Sequence, residues 1–205
     1  MAIITTENLK SHLGIPDTTD DTTLGWAVDA TNSAIVDYCG RTFDKTVTGS
    51  ASARVFDRLD ACEIEVDDFW ETSVLVVKSD DDDDGTFETT WTINTDFILE
   101  PLNGLRYGQA WPYTTIRAVG SRRFPRTLRP GVQVTAAWGW ASVPAPVFEA
   151  ALIKAARVWK RRKSPEGVLG GFAEFGPVRV SRSEDPDVAG LLDRYQRRSV
   201  TFGMA

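Results

Sequence analysis

The run Asp80-Asp81-Asp82-Asp83-Asp84 followed by Gly85 is a stretch whose residue types and spacing approach a ligand set. Carboxylates at the first, third and fifth positions, with a sharply turning glycine at the sixth, open a calcium loop. Such a loop also needs a bidentate Glu at its twelfth position. Here that position is Trp91, and the nearby Glu88 falls at the ninth. The run therefore reads as the solvated tip of a hairpin, and no metal is expected. Cys39 and Cys62 stand 23 residues apart with no histidine to join them, which excludes a zinc site. Two cysteines are too few for a disulfide framework, so both are expected as free thiols in a reducing compartment. His12 is the sole histidine, with no nucleophile or orienting carboxylate placed near it by sequence. A GxSxG elbow, a GxxxxGK[ST] phosphate loop and a GxGxxG turn are all absent from the sequence. Carboxylates abound, yet nothing singles out a pair with one raised pKa, as glycoside hydrolysis would require. No catalytic residue and no cofactor is expected, and the charged segments become the candidates for function.

Those segments need elements to hold them. At 205 residues, 42% apolar, 25% charged and 10% aromatic, the chain fits one large globular domain or two small ones and excludes fibrous and disordered classes. No apolar run approaches the roughly 20 residues of a membrane span. The start MAIITTENLKSHLG lacks the regions of an export signal, so neither a membrane nor secretion is expected. The net charge of −6 hides an asymmetry: residues 1–105 hold 22 Asp and Glu against 6 Lys and Arg, and residues 106–205 hold 7 against 17. An acidic chain is a poor coat for the outside of DNA. Segments of opposite sign suit a second copy or a charged partner instead.

Residues 1–43 read as two helices. Thr5 and Thr6 lead into Leu9 and Leu13, with Gly14 and Pro16 as the stop. Thr18 and Asp21 stand at the offset of a capping box, and Leu24, Val28, Thr31, Ile35 and Tyr38 form the stripe of a second helix ending at Gly40. Residues 44–140 change to short runs of β-branched and aromatic residues. Strands are predicted at 54–59, 62–66, 73–78, 86–93, 96–99, 114–119 and 132–138, with a hairpin turning at 80–85. After that, Phe148, Leu152, Ala155 and Trp159 form one helical stripe with Lys154, Arg157 and Arg161 opposite, and the helix ends in Lys160-Arg161-Arg162-Lys163. A Gly-rich loop at 164–183, with a short strand at 178–180, precedes a last helix opened by Asp185 and Pro186 and carrying Val188, Leu191, Leu192 and Tyr195. The simplest assembly is an α+β fold. Residues 1–43 and 141–205 form one helical bundle, and residues 44–140 form a β-rich, sandwich- or barrel-like insertion.

Several of these segments also carry a resemblance. Val132 through Trp140 is a strand running into a Trp-Gly-Trp turn, and Val143-Pro144 then opens the helix from Phe148-Glu149-Ala150-Ala151-Leu152 to Trp159-Lys160-Arg161-Arg162, followed by Ser164-Pro165-Glu166-Gly167. Asp185-Pro186-Asp187-Val188 leads into Leu191-Leu192, and the second helix closes in Tyr38-Cys39-Gly40-Arg41-Thr42-Phe43. In this order the segments resemble the head-tail connector, or adaptor, proteins of long-tailed bacteriophages. The resemblance covers residues 1–43 and roughly 131–205; the middle shares only its wealth of strands.

It implies a structural, noncatalytic subunit of the virion neck, assembled in the host cytoplasm. The family forms rings, commonly of twelve copies, between the portal protein and the next neck or tail-completion protein, with DNA passing through without specific binding. On that footing Arg157, Arg161, Arg162, Lys163, Asp185 and Arg194 are candidate contacts to a neighbouring copy or the portal. The other role for the basic cluster is to offset a helix C-terminus. Asp80, Asp81, Asp82, Asp83 and Asp84 are a candidate lumen-facing hairpin, whose carboxylates would repel phosphates and ease passage. The readings from other classes are a β-sandwich carbohydrate- or peptide-binding module using exposed tryptophans, and a glycoside hydrolase fragment.

Overall fold

A computed structural model of the chain describes residues 2–43, 50–161 and 186–197. The chain divides into two compact units, one of residues 1–43 with 143–205 and one of residues 44–142.

The first unit is helical. Its α1 (Thr6–Leu13) begins where Thr5 and Asn8 exchange hydrogen bonds, the Asn8 amide donating to Thr5 Oγ1 at 3.3 Å and the Thr5 amide to Asn8 Oδ1 at 2.9 Å. Gly14 ends it at φ +68°. In α2 (Asp21–Cys39) the buried face is Leu24, Val28, Thr31, Ile35 and Cys39. The capping pair expected at Thr18 and Asp21 does not form. The helix starts at Asp21 with Asp20 as its N-cap, which puts Asp21 two positions short of the place a box with Thr18 requires, and the Asp21 carboxylate accepts from Lys10 Nζ at 2.6 Å instead. Asn32 fixes the leading segment: its Nδ2 donates to the Ile4 carbonyl at 3.1 Å, and the Ile4 amide donates to its Oδ1 at 3.2 Å.

The long α3 (Ala145–Arg161) packs against α1, α2 and α4 (Pro186–Leu192). Its buried Ala150, Ala151, Ala155 and Ala156 permit close approach, and Leu152 and Trp159 fill the remaining space. Phe148 and Leu191, expected in the core, are half-buried; Leu192 and Val188 take the inner positions of α4. A 3-10 turn (Asp193–Tyr195) then returns the chain to α2. Tyr38 Oη donates to Asp193 Oδ1 at 2.6 Å, the Arg197 amide donates to the Cys39 carbonyl at 2.8 Å, and Tyr195 meets Phe43 edge-on at 6.0 Å. Tyr38 thus faces outward to make a bond, and the buried stripe ends on Cys39. Burial pushes the Cys39 thiol up to about 11. In the folded chain a thiol reagent at neutral pH is therefore expected to modify the more exposed Cys62 first and Cys39 only on denaturation. Equal rates for the two would show that this end of the helical unit opens readily.

The second unit holds one six-stranded antiparallel sheet in the order β1-β8-β2-β7-β4, with β3 paired to the far half of β2. The strands are β1 (Ser52–Phe56), β2 (Glu63–Ser79), β3 (Thr89–Trp91), β4 (Phe97–Glu100), β7 (Tyr113–Ala118) and β8 (Val132–Trp138); β5 (Leu105–Arg106) and β6 (Gln109–Ala110) form a separate two-stranded ribbon. The strands expected at 62–66 and 73–78 are one element, β2. Its near half pairs with β7 (Ile64 opposite Ile116), and its far half pairs with β8 on one edge (Val77 opposite Val134) and β3 on the other (Val77 opposite Trp91). Register shifts at Phe69/Glu71 and Glu71/Val76 bulge the strand between these halves. Asp67, Asp68 and Glu71 look like strand breakers in the sequence. Asp68 is nevertheless buried within the strand, its carbonyl accepting from the Gly139 amide at 2.6 Å and its Oδ2 from Trp140 Nε1 at 2.8 Å. One core serves the sheet, built on Ile64, Val66, Phe69, Phe97, Ile116 and Val134, and closed by Phe124 stacked on Trp91 at 4.6 Å.

Candidate functional site

No helix among the described residues is long and apolar enough to cross a membrane. His12 is exposed in the last turn of α1. Charged faces and exposed apolar side chains are the features that can act on a partner.

On α3, Lys154, Arg157, Val158 and Arg161 recur at i, i+3, i+4 and i+7 and so share one stripe. Arg157, Val158 and Arg161 are exposed, Val158 at 39%. Arg157 Nη2 lies 3.8 Å from Asp187 Oδ2 at the start of α4, a solvent-exposed pair worth little stability. Lys160 and Arg161 occupy the last turn, where cations offset the helix dipole. Arg194 lies over the Tyr195 ring at 4.8 Å and donates to its hydroxyl at 2.9 Å. Of the contact residues expected from sequence, the fold thus sets Arg157 and Arg161 on one face and Arg194 on the turn that returns to α2. Arg162, Lys163 and Asp185, with the loop at 164–183 and the strand at 178–180, lie outside the described residues.

The acidic hairpin joins β2 to β3 as the turn signals foretold, but its five carboxylates have different environments. Asp80 is buried, with Oδ2 accepting from the Gly85 amide at 2.8 Å and Oδ1 from the Asp84 amide at 3.3 Å. Asp81 accepts from the hydroxyls of Ser79 at 2.7 Å and Thr89 at 2.6 Å. Asp83 accepts from the Leu128 amide at 3.0 Å, binding the hairpin to the loop at 120–131. The Thr86 amide, seconded by its hydroxyl, holds the exposed Asp84 carboxyl below the usual carboxylate range. Gly85 takes φ +94°, which only glycine accepts readily. The expectation of a solvated tip thus holds for Asp81, Asp82 and Asp84, whereas Asp80 turns inward to close the turn. Asp80→Ala is expected to destabilise the chain by about 1–3 kcal/mol by leaving two amides without their acceptor, read as a lower urea midpoint. An unchanged midpoint would show that water replaces the carboxylate without cost.

Asp80, Asp82, Asp84 and Glu88 each place a carboxylate oxygen within 4.8 Å of the others. Such oxygens have the chemistry of a hard-cation ligand set. Trp91, at the position where a calcium loop has its bidentate Glu, is buried in the core and donates from Nε1 to Ser79 Oγ at 2.9 Å.

Three exposed apolar features went unread in the sequence. Trp26 is 66% exposed on α2, on the stripe away from Leu24 and Val28, a position its helical spacing already encodes. The ribbon of β5 and β6 exposes Leu105 and Tyr107 and turns through Tyr107 and Gly108, both at positive φ. Arg106 spans from Tyr107 (5.5 Å) to Trp111 (5.3 Å), and Trp111 packs edge-on against Trp140 at 4.9 Å. Leu128 stands almost wholly in solvent beside Arg129, whose Nη1 donates to the Asp84 carbonyl at 3.3 Å.

Residues 3–68 match the family of phage gp6-like head-tail connector proteins. No curated protein matches the chain. Among solved structures, a chain from the neck of an empty gene transfer agent particle, computed with C6 symmetry, is similar at TM-score 0.57 and 16% identity, covering 99% of this chain and 94% of that one. A chain from the neck of a native particle, computed with C12 symmetry, gives 0.55 and 16%, covering 98% and 92%. One from the virion of a native gene transfer agent particle gives 0.56 and 18%, covering 98% and 93%. At these identities the likeness is one of fold, and it extends over nearly the whole length. The α+β class expected from sequence is borne out, as is the resemblance to head-tail connector proteins, which the family match supports on its own segment.

Proposed function

We propose that this chain is a structural head-tail connector subunit, one copy of a ring in the neck of a phage-type virion through which DNA is packaged and ejected. The match of residues 3–68 to the head-tail connector family carries the reading, and the fold shared with neck chains over 98–99% of this chain supports it. The work is assembly, with no bond made or broken. The C12 symmetry of one matched neck favours twelve copies, seated between the portal and the next neck or tail-completion protein. Arg157, Arg161 and Arg194, with Arg162, Lys163 and Asp185, serve contacts to a neighbouring copy or the portal. The exposed carboxylates of Asp81, Asp82 and Asp84 face the DNA path and repel the duplex, so that it slides.

The carbohydrate-binding alternative is left with a single exposed indole, Trp26, because Trp91, Trp111, Trp138, Trp140 and Trp159 are buried and Trp70 is half-buried. Deleting the chain from a producing phage tests the connector reading. DNA-filled heads that fail to join tails are expected, and normal infectious particles made without it would overturn the proposal.

A further inference from the structure

A ring closed by rotation needs two different patches on each copy that fit one another. The helical unit carries such a pair of faces. On α2, Thr22, Trp26, Asp29, Ser33 and Asp37 are exposed at i, i+4, i+7, i+11 and i+15, forming a single stripe; the helix contains no Lys or Arg. Its one large apolar group is Trp26, and its charge is wholly negative. On α3, the stripe of Lys154, Arg157, Val158 and Arg161 is wholly positive around one apolar side chain. Within a copy, α2 and α3 pack on one another and bury other residues, Leu24, Val28 and Ile35 from α2 and Ala155 and Trp159 from α3.

We infer that these stripes are the two halves of one copy-to-copy contact, the α2 stripe of one copy docking on the α3 stripe of the next. This deepens the connector reading and rests on it. Three features favour a second copy as the occupant. The faces are opposite in sign, so they attract one another and each repels its like, which enforces head-to-tail order over face-to-face pairing. Trp26 offers an indole face to a guanidinium, and cation–π attraction strengthens as the contact excludes water. Val158 gives the tryptophan an apolar neighbour.

Sedimentation equilibrium of the full chain over a concentration series tests the contact. Wild type is expected to associate, less so as salt rises. Asp29→Arg with Asp37→Arg, or Arg157→Asp with Arg161→Asp, should each weaken association at least about tenfold, as close interfacial charge pairs do. Trp26→Ala should weaken it without altering charge. The four charge changes combined in one chain recreate the contact with its signs exchanged and should restore association, a result no misfolded variant can give. A wild type that stays monomeric, reversals that associate as wild type does, or a combined variant that stays dissociated would each overturn this contact. None of these bears on whether particles need the chain, so the deletion test of the connector reading fails or stands separately.

Discussion

Replacing Trp138 with alanine is expected to lower stability by about 3–5 kcal/mol, the range for deleting a large buried aromatic. The side chain is 6% exposed and joins three strands: it packs edge-on against Phe69 of β2 at 6.0 Å, tilts on Phe56 of β1 at 5.7 Å, and donates from Nε1 to the Ser52 carbonyl at 2.8 Å. Arg54 covers it at 4.6 Å. Alanine would remove all of these and leave the β unit with a cavity and the Ser52 carbonyl without that donor. Trp138→Phe keeps much of the packing and loses the hydrogen bond, so a further, smaller loss of about 1 kcal/mol is attributed to that bond. Urea denaturation reads both as lower midpoints at unchanged slope. A Trp138→Ala loss under about 1 kcal/mol would mean that the strand end frays in the native protein.

Gly139→Ala tests the next residue by a different mechanism. Asp83, Asn94, Asn103 and Tyr107 also have positive φ, but at 52–63°, inside the left-handed basin that side chains tolerate. Gly139 sits at φ +106°, outside it, and its amide is held to the Asp68 carbonyl at 2.6 Å. A Cβ there must either strain the backbone or break the turn, at about 1–3 kcal/mol. The turn also aims Trp140 at the buried Asp68 carboxylate, so loss of that bond should accompany unfolding as a change in tryptophan fluorescence. A neutral Gly139→Ala would show that the turn relaxes to another conformation.

The contrast between these two residues explains what the sequence revealed. Trp138-Gly139-Trp140 was legible as a strand ending in a turn, because a glycine between aromatics after β-branched alternation has few other uses. The helices were legible for the same local reason: Gly14 and Gly40 stop them, and period 3.6 marks their buried faces. The continuity of β2 was not legible, since Asp67, Asp68 and Glu71 look like breakers until Trp140, 72 residues away, supplies a donor to Asp68. Nor was the inward turn of Asp80, whose acceptor role depends on backbone amides. The opposed stripes of α2 and α3 were half legible. The cationic one stands out as Lys and Arg at helical spacing, while Trp26 does not, because an aromatic in a helix reads equally well as core and only its angle from Leu24 and Val28 puts it outside.

The pairing of the first strand with the last has one more consequence. Ser52 lies opposite Ala136 and Phe56 opposite Val132, so the polypeptide enters and leaves the sheet on adjacent strands, about 4.8 Å apart. With its two ends stapled side by side, the β unit closes on itself, each terminal strand pinning the other in one shared ladder.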